Sequence, residues 1–512
     1  MKKTSRREFL RIGSAVSGMG VAAPWVLNLS AFQNASAQSV GSGYKALVCV
    51  YLAGGNDAFN TVLATDSTSW GHYTRVRDPR VSDSASSADS IALSSSAVLP
   101  ISHRNAAGRN TGRQFALHPN LPQVRTLYNA GRLAVVANVG TLNRPTTPTQ
   151  YADVTHPRPA KLFSHNDQQS TWQSFSPEGS TAGWGGRFAD NQSSKNSNQM
   201  FASVGVDTNA VWCSGASTKQ FQVASAGPNR FGYSADGNVP SFMTAGVRSA
   251  MASVSGADAR GDMLGSDHAA VTKRAQDAQS VLTASLPAMA LAPWGTPGAT
   301  SQAADAKLCC VLPSTGASTY NPLAGQLQMV ARMMAARSGT GGSRQVFYVS
   351  LGGFDTHSGH ISKHADLMAQ LDHALAYFDT VLDAMPGGGL RSQVTTFTAS
   401  DFGRGFTNND GGCDHGWGGH HFVMGGAVQG GDVYGHFPEY RSPDSAGKFV
   451  NAPNQLLNGA LLPEVSVDQY AYTLGRWFDV ADADLIGATS GSGILPNIHN
   501  FDTAVRNLRF LG

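Results

Sequence analysis

Four short stretches of the chain, residues 46–52, 133–139, 345–351 and 394–399, are apolar and rich in β-branched side chains, with little polar alternation. Such runs predict strands buried on both faces, the mark of a mainly parallel sheet. Between the last two, Leu367, Leu371, Leu375, Phe378, Leu382 and Met385 recur at helical spacing, so strand, helix and strand follow in the order of a βαβ crossover. Leu323, Leu327, Val330 and Met334 mark a helix before them, residues 121–131 another that Gly131 closes, and residues 258–286 read as one long helix. Residues 66–115 and 213–320, rich in Ser and Ala with weaker periodicity, read as insertions. The expected architecture is α/β: one doubly wound, mostly parallel sheet flanked by helices over residues 38–512, with a long middle insertion.

Composition narrows the partners. Of 512 residues only 14% are charged, and the formal charge of +3 is carried by the start of the chain, where two Lys and three Arg stand against one Glu in the first eleven residues. The remainder is near neutral, which argues against nucleic acid as a partner. The start itself, Ser5-Arg6-Arg7-Glu8-Phe9-Leu10 followed by an uncharged stretch and Ala35-Ser36-Ala37, resembles a twin-arginine export signal over residues 1–37. That resemblance implies recognition by the twin-arginine translocation machinery, export in the folded state, a periplasmic or secreted location and no stable membrane span once the signal is cut. The five cysteines show no Cys-x-x-Cys pair; Cys49 falls in a strand and reads as a small core residue, while Cys413 has three conceivable disulfide partners, Cys213, Cys309 and Cys310.

In open α/β sheets ligands bind beyond the carboxyl ends of the strands. Three strand ends here are polar: Gly54-Gly55-Asn56-Asp57, the stretch from Gly352 through Asp355, His357 and His360, and Ser400-Asp401-Phe402-Gly403-Arg404. A fourth cluster, from Gly411 through Cys413, Asp414 and His415 to His420-His421, follows. Asp and His are the oxygen and nitrogen donors that suit zinc and related divalent ions, and glycine lets backbones from different strands converge.

These segments, with Ser164-His165-Asn166-Asp167-Gln168-Gln169 and Trp172, resemble a family of twin-arginine-exported bacterial proteins defined by a domain of unknown function and placed near the alkaline phosphatases and sulfatases. The resemblance implies an alkaline phosphatase-like fold and a metal-dependent hydrolase of phosphate or sulfate esters, small or polymer-borne. It implies metal ligands at Asp57, with Asn56 as an oxygen donor, at Asp355 with His357 or His360, at Asp401 and at His415. One or two divalent ions are expected, zinc first, with manganese or calcium as alternatives. Ser164 is the candidate nucleophile, with a helix cap as its plainer role, and Arg404 the candidate anion-binding residue, with a loop ion pair to Asp410 or Asp414 as its plainer role.

Two departures bear on activity. Phe402 follows Asp401 where the superfamily places His, which removes one ligand of a two-metal site unless His420 or His421 replaces it. No Cys-x-Pro-x-Arg sequence is present, which argues against a formylglycine sulfatase. The competing expectation is a non-catalytic exported binding or scaffold protein that keeps the fold around a degenerate metal site. Trp172, Trp184 and Trp417 are expected in the core or lining a pocket.

Overall fold

Each of the four apolar runs is a strand in the computed structural model of the protein, which describes residues 43–512 apart from 105–107, 109, 229–238, 240–242, 257–261, 290–291 and 297. The stretch read as an export signal, residues 1–37, lies outside the described residues, as does part of the start of the helix expected from 258. Among the described residues the central sheet has nine strands: β1 (Lys45–Ala53), β2 (Leu133–Gly140), β3 (Ser203–Val206), β4 (Phe221–Val223), β5 (Arg344–Gly352), β6 (Val394–Ser400), β7 (Gly419–Gly425), β8 (Val433–Tyr434) and β9 (Val465–Ser466). Their order is β8-β2-β7-β6-β1-β5-β3-β4, with β9 also pairing to β2. Every pairing is parallel except the two made by β7.

The principal helices are α1 (Ser67–Arg77), α2 (Pro122–Asn129), α3 (His165–Ser174), α4 (Trp184–Asn191), α5 (Ala245–Ser255), α6 (Met263–Ser285), α7 (Pro322–Ala335), α8 (His360–Asp383) and α9 (Val467–Trp477). The alternation of a pleated strand explains how both faces of the sheet are covered. Ala46, Val48, Val50 and Leu52 of β1 join one core, with Leu327 and Val330 of α7 and Leu371 and Phe378 of α8. Leu47, Cys49 and Tyr51 join the other, with Trp172 of α3, Trp184 of α4 and Tyr470 of α9. The sheet is therefore covered by helices on both sides, as the unbroken apolar runs require.

The helix α8 links β5 to β6, but those strands are not neighbours: β1 lies between them and pairs with both. Its central place follows from its composition, since residues 46–52 carry no side chain that a solvent-facing edge would accommodate. Residues 66–115 contain α1 and one strand, Leu99–Ile101, of a small separate sheet, and residues 213–320 contain β4, α5, α6 and a two-stranded ribbon. In this topology the carboxyl ends of β1, β5 and β6 and the amino end of β7 fall on one edge. All four polar clusters are brought to that edge by strand direction alone.

Candidate metal centre

At this edge the expected ligands separate into two groups. The first is open to solvent on one side. His165, at the first turn of α3, and His415, before β7, place their Nε2 atoms 3.1 Å apart. Asp355 Oδ1, three residues beyond β5, lies 3.5 Å from His165 Nε2 and 3.6 Å from His415 Nε2. His357 stands at the side of this group, its Nε2 3.0 Å from Asp355 Oδ1 and 3.1 Å from His415 Nε2.

The opposite ring nitrogens decide what these imidazoles offer. His165 Nδ1 is 2.7 Å from Asp401 Oδ2, and His415 Nδ1 is 2.7 Å from the carbonyl oxygen of Phe163. Carboxylate and carbonyl only accept, so each Nδ1 donates and each neutral ring has a bare Nε2 lone pair. Two lone pairs 3.1 Å apart repel unless a proton or a cation stands between them. That the Asp355 carboxylate faces the same point favours the cation. A tetrahedral zinc ion with bonds of about 2.0–2.1 Å holds its ligand atoms roughly 3.3–3.4 Å apart, close to the 3.1–3.6 Å found among His165, Asp355 and His415. A histidine whose second nitrogen is tied to a carboxylate or a carbonyl is the usual arrangement around a bound metal.

The residues behind these four fix them. Arg404, fully buried, donates from Nη1 to Asp355 Oδ1 at 2.6 Å and to Gly54 O at 3.2 Å, and from Nη2 to Cys413 O. Burial would raise the Asp355 carboxyl, but the hydrogen bond and charge of Arg404 hold it below the ordinary carboxylate value. The hydrogen bond to Asp401 raises the pKa of His165, whereas desolvation, with the charges of His165 and Arg404 adding to it, lowers that of His415. Phe402 packs its ring 4.8 Å from the His165 ring and 4.9 Å from that of His415, so the side chain standing where a ligand histidine was expected is the wall against which two ligands rest. Lys161 and Phe163 adopt positive φ, 49° and 71°, in the turn that presents the Phe163 carbonyl to His415.

The second group is closed. Asp57 and His360 are fully buried, with His360 Nε2 2.8 Å from Asp57 Oδ2 and the Arg77 guanidinium donating to the same oxygen. His360 Nδ1 meets Thr356 Oγ1 at 2.7 Å, and Cys413 Sγ lies 3.9 Å away. Asp57, His360 and Cys413 lie close enough together to hold an ion, yet Arg77 already supplies a cation to the carboxylate. Desolvation would raise Asp57, but Arg77 and His360 hold it well below the usual range; desolvation would likewise lower His360, but its bond to Asp57 holds it up at about 9. The donor set thus fits an internal ion-pair network better than a metal.

The other expected residues have different employment. Asn56 is buried, its amide shared between Thr61 and His364. Asp401 faces His165 rather than the point where the ligand atoms meet. Ser164 stands at the N-cap of α3 without capping it; its hydroxyl donates to Asp167 Oδ2 at 2.9 Å. Arg404 holds Asp355 and Cys413 O, not Asp410 or Asp414, and its buried guanidinium does not face solvent as an anion receptor would. His420 and His421 are core residues of β7: His420 accepts from Asn138 N–H, His421 packs on Trp172, and burial lowers both to about 3. All five cysteines are free and buried, and Trp172, Trp184 and Trp417 are core.

Sequence reasoning missed His165 as a ligand because it follows no strand; the strand-end rule cannot reach a residue delivered by a helix start. Its only signal was its place in the Ser164–Gln169 segment.

No curated protein matches the sequence. Among solved structures, "Crystal structure of Ps i-CgsB in complex with k-i-k-neocarrahexaose" aligns at 10% identity over 90% of this chain and 77% of that one, with a TM-score of 0.33. The structure titled "Crystal structure of Ps i-CgsB" aligns over the same shares at the same identity with a TM-score of 0.32. Likeness this distant carries no argument about fold or chemistry. A family model matches residues 44–488, a span that takes in the sheet and both polar groups, and the chain belongs to that family, described as protein of unknown function (DUF1501).

Proposed function

We propose that the protein is a divalent-metal-dependent hydrolase of phosphate or sulfate esters, exported as its amino-terminal sequence suggests and built on an alkaline phosphatase-like sheet. One observation carries the reading: the imidazole nitrogens of His165 and His415 and the Asp355 carboxylate face one another, while both rings are tied from behind by Asp401 and Phe163 O.

A divalent ion held there would polarise an ester oxygen as a Lewis acid. The chain's own part is positional. Asp401 and the Phe163 carbonyl fix which nitrogen of His165 and His415 is free, and Arg404 holds Asp355 ionised and aimed. Phe402 and Gly55 close the floor of the site, since the Phe402 ring lies where a Gly55 Cβ would be, 2.3 Å away. His357 and Asp355 are about half exposed, which leaves the substrate side open. Arg77 takes the cation's place at Asp57, so one ion is the expected number, and one zinc is the first choice for two nitrogens and a carboxylate oxygen with a fourth position open to substrate.

Hydrolysis of nitrophenyl phosphate and nitrophenyl sulfate tests the reading. Zinc-stimulated turnover of either ester, abolished in Asp355→Ala and by chelation, is the expected result. Zinc binding without turnover of any ester would favour the scaffold alternative.

A further inference from the structure

Beside the metal centre, the loop from Tyr151 to Phe163 encloses a cleft of about 550 Å³. Its charged lining is Arg158 and Lys161, and no Asp or Glu lines it. Lys161 closes the turn that ends at Ser164, through the bond from Ser164 N–H to Lys161 O at 3.2 Å, and His165 follows directly. Phe163 both lines the cleft and gives its carbonyl to His415. Cleft and centre are thus built on one continuous turn.

Resting on the hydrolase reading, we propose that this cleft is an anion subsite that receives a second sulfate or phosphate group of an extended substrate, so that the ester cleaved is carried on an anionic polysaccharide. Arg158 is preorganised: its Nη1 donates to Tyr151 O at 3.1 Å and its guanidinium lies 5.1 Å over the Tyr151 ring, which leaves further N–H donors for a ligand. The Lys161 side chain is 68% exposed, with Asp167 at 3.4 Å as its carboxylate neighbour. Asp153, next in sequence to the cleft residue Val154, accepts from the N–H and hydroxyl of Thr155, at 2.9 and 2.8 Å. A local pair of cations stands out on a chain otherwise balanced between Lys plus Arg and Asp plus Glu.

The hydroxyl and amide groups next to the cleft point to a sugar polymer. His156 of the cleft meets Thr146 at 3.0 Å, and Thr146 lines a neighbouring cavity of about 350 Å³ with Thr147, Gln150, Asn454 and Glu464, the last with its carboxylate 3.2 Å from His436. Hydroxyl and amide side chains of this kind pair with the hydroxyls of sugars. A single-stranded nucleic acid would need exposed aromatic platforms, and of the rings here Tyr151 is already covered by Arg158 and His156 is bound to Thr146.

Binding of dextran sulfate, uncharged dextran and oligothymidylate to the full chain, followed by calorimetry, tests the proposal. Dextran sulfate is expected to bind, and the double change Arg158→Gln with Lys161→Gln to weaken it about tenfold or more. The charge-keeping double change Arg158→Lys with Lys161→Arg should retain most of the affinity, as should Arg75→Gln with Arg80→Gln, which removes equal charge elsewhere. Dextran sulfate binding unchanged by the Gln pair overturns the subsite, and equal or tighter binding of oligothymidylate overturns the polysaccharide. Zinc stoichiometry measured on the same samples separates the two claims: no zinc with a Gln-sensitive polyanion site would leave the subsite standing and remove the hydrolase.

Discussion

His165 Nδ1 and Asp401 Oδ2 lie 2.7 Å apart, and this contact decides which face of the His165 ring is offered to the other ligands. Asp401 is therefore a positioning residue. Replacing it with Asn leaves every proposed ligand in place but weakens the hold on the ring, and zinc affinity is expected to fall about 10–100-fold. His165→Ala, which removes a ligand, should lower affinity further. A competitive chelator titration measures both, and equal affinity in Asp401→Asn and the parent would contradict the positioning role.

The wall behind the centre should matter as much as the ligands in it. Phe402 is buried and touches both His165 and His415. Phe402→Ala is expected to cost about 3–5 kcal/mol of stability and, in protein that remains folded, to weaken zinc binding with no ligand removed. Gly412 makes a related point, since a Cβ there would sit 2.2 Å from the carbonyl carbon and oxygen of His357. Gly412→Ala should shift the His357 backbone and lower zinc affinity while leaving the sheet intact by circular dichroism.

The buried pair of Asp57 and Arg77 makes a prediction about folding rather than chemistry. Both side chains are fully buried, so Arg77→Met leaves a carboxylate held by His360 and the Phe59 N–H without the guanidinium. A loss of about 3–5 kcal/mol in urea unfolding is expected, with zinc stoichiometry unchanged. A gain of a second zinc in Arg77→Met would show that the guanidinium had been filling a metal site.

The same network sets a pH dependence. His360 is raised in the folded protein to about 9, from an ordinary value near 6.5. Its stabilising contribution is complete below about 6.5 and is lost as pH rises through about 9. Asp57 is depressed, so its contribution is present above its unfolded value of about 3.9 and is lost only as pH falls through the lower folded value. The stability difference between the parent and His360→Gln should therefore shrink between pH 6.5 and 9. Thermal unfolding across that range reads it, and a difference that grows with pH would contradict the charged pair.

Much of the sheet was legible because a strand buried on both faces leaves an unbroken apolar run: the observed bounds of β1, β2, β5 and β6 extend the expected ones by two residues at most. The strand β7 was not legible, because Gly419-His420-His421 at its start reads as polar loop. Only burial against Trp172 and Phe437 turns these histidines into core residues. The polar strand ends were legible as a set, but their division was not. Whether Asp57 faces the open edge or the interior depends on Arg77, twenty residues on at the end of α1, a segment read only as an insertion. His165 illustrates the same limit, since its partners Asp401 and His415 are more than two hundred residues away.

The most direct measurement is anomalous scattering at the zinc edge from crystals of the protein grown with zinc. The account predicts one peak, about 2.0–2.1 Å from His165 Nε2, His415 Nε2 and an Asp355 oxygen. No peak at that point, or a peak at Asp57 and His360 instead, would contradict it.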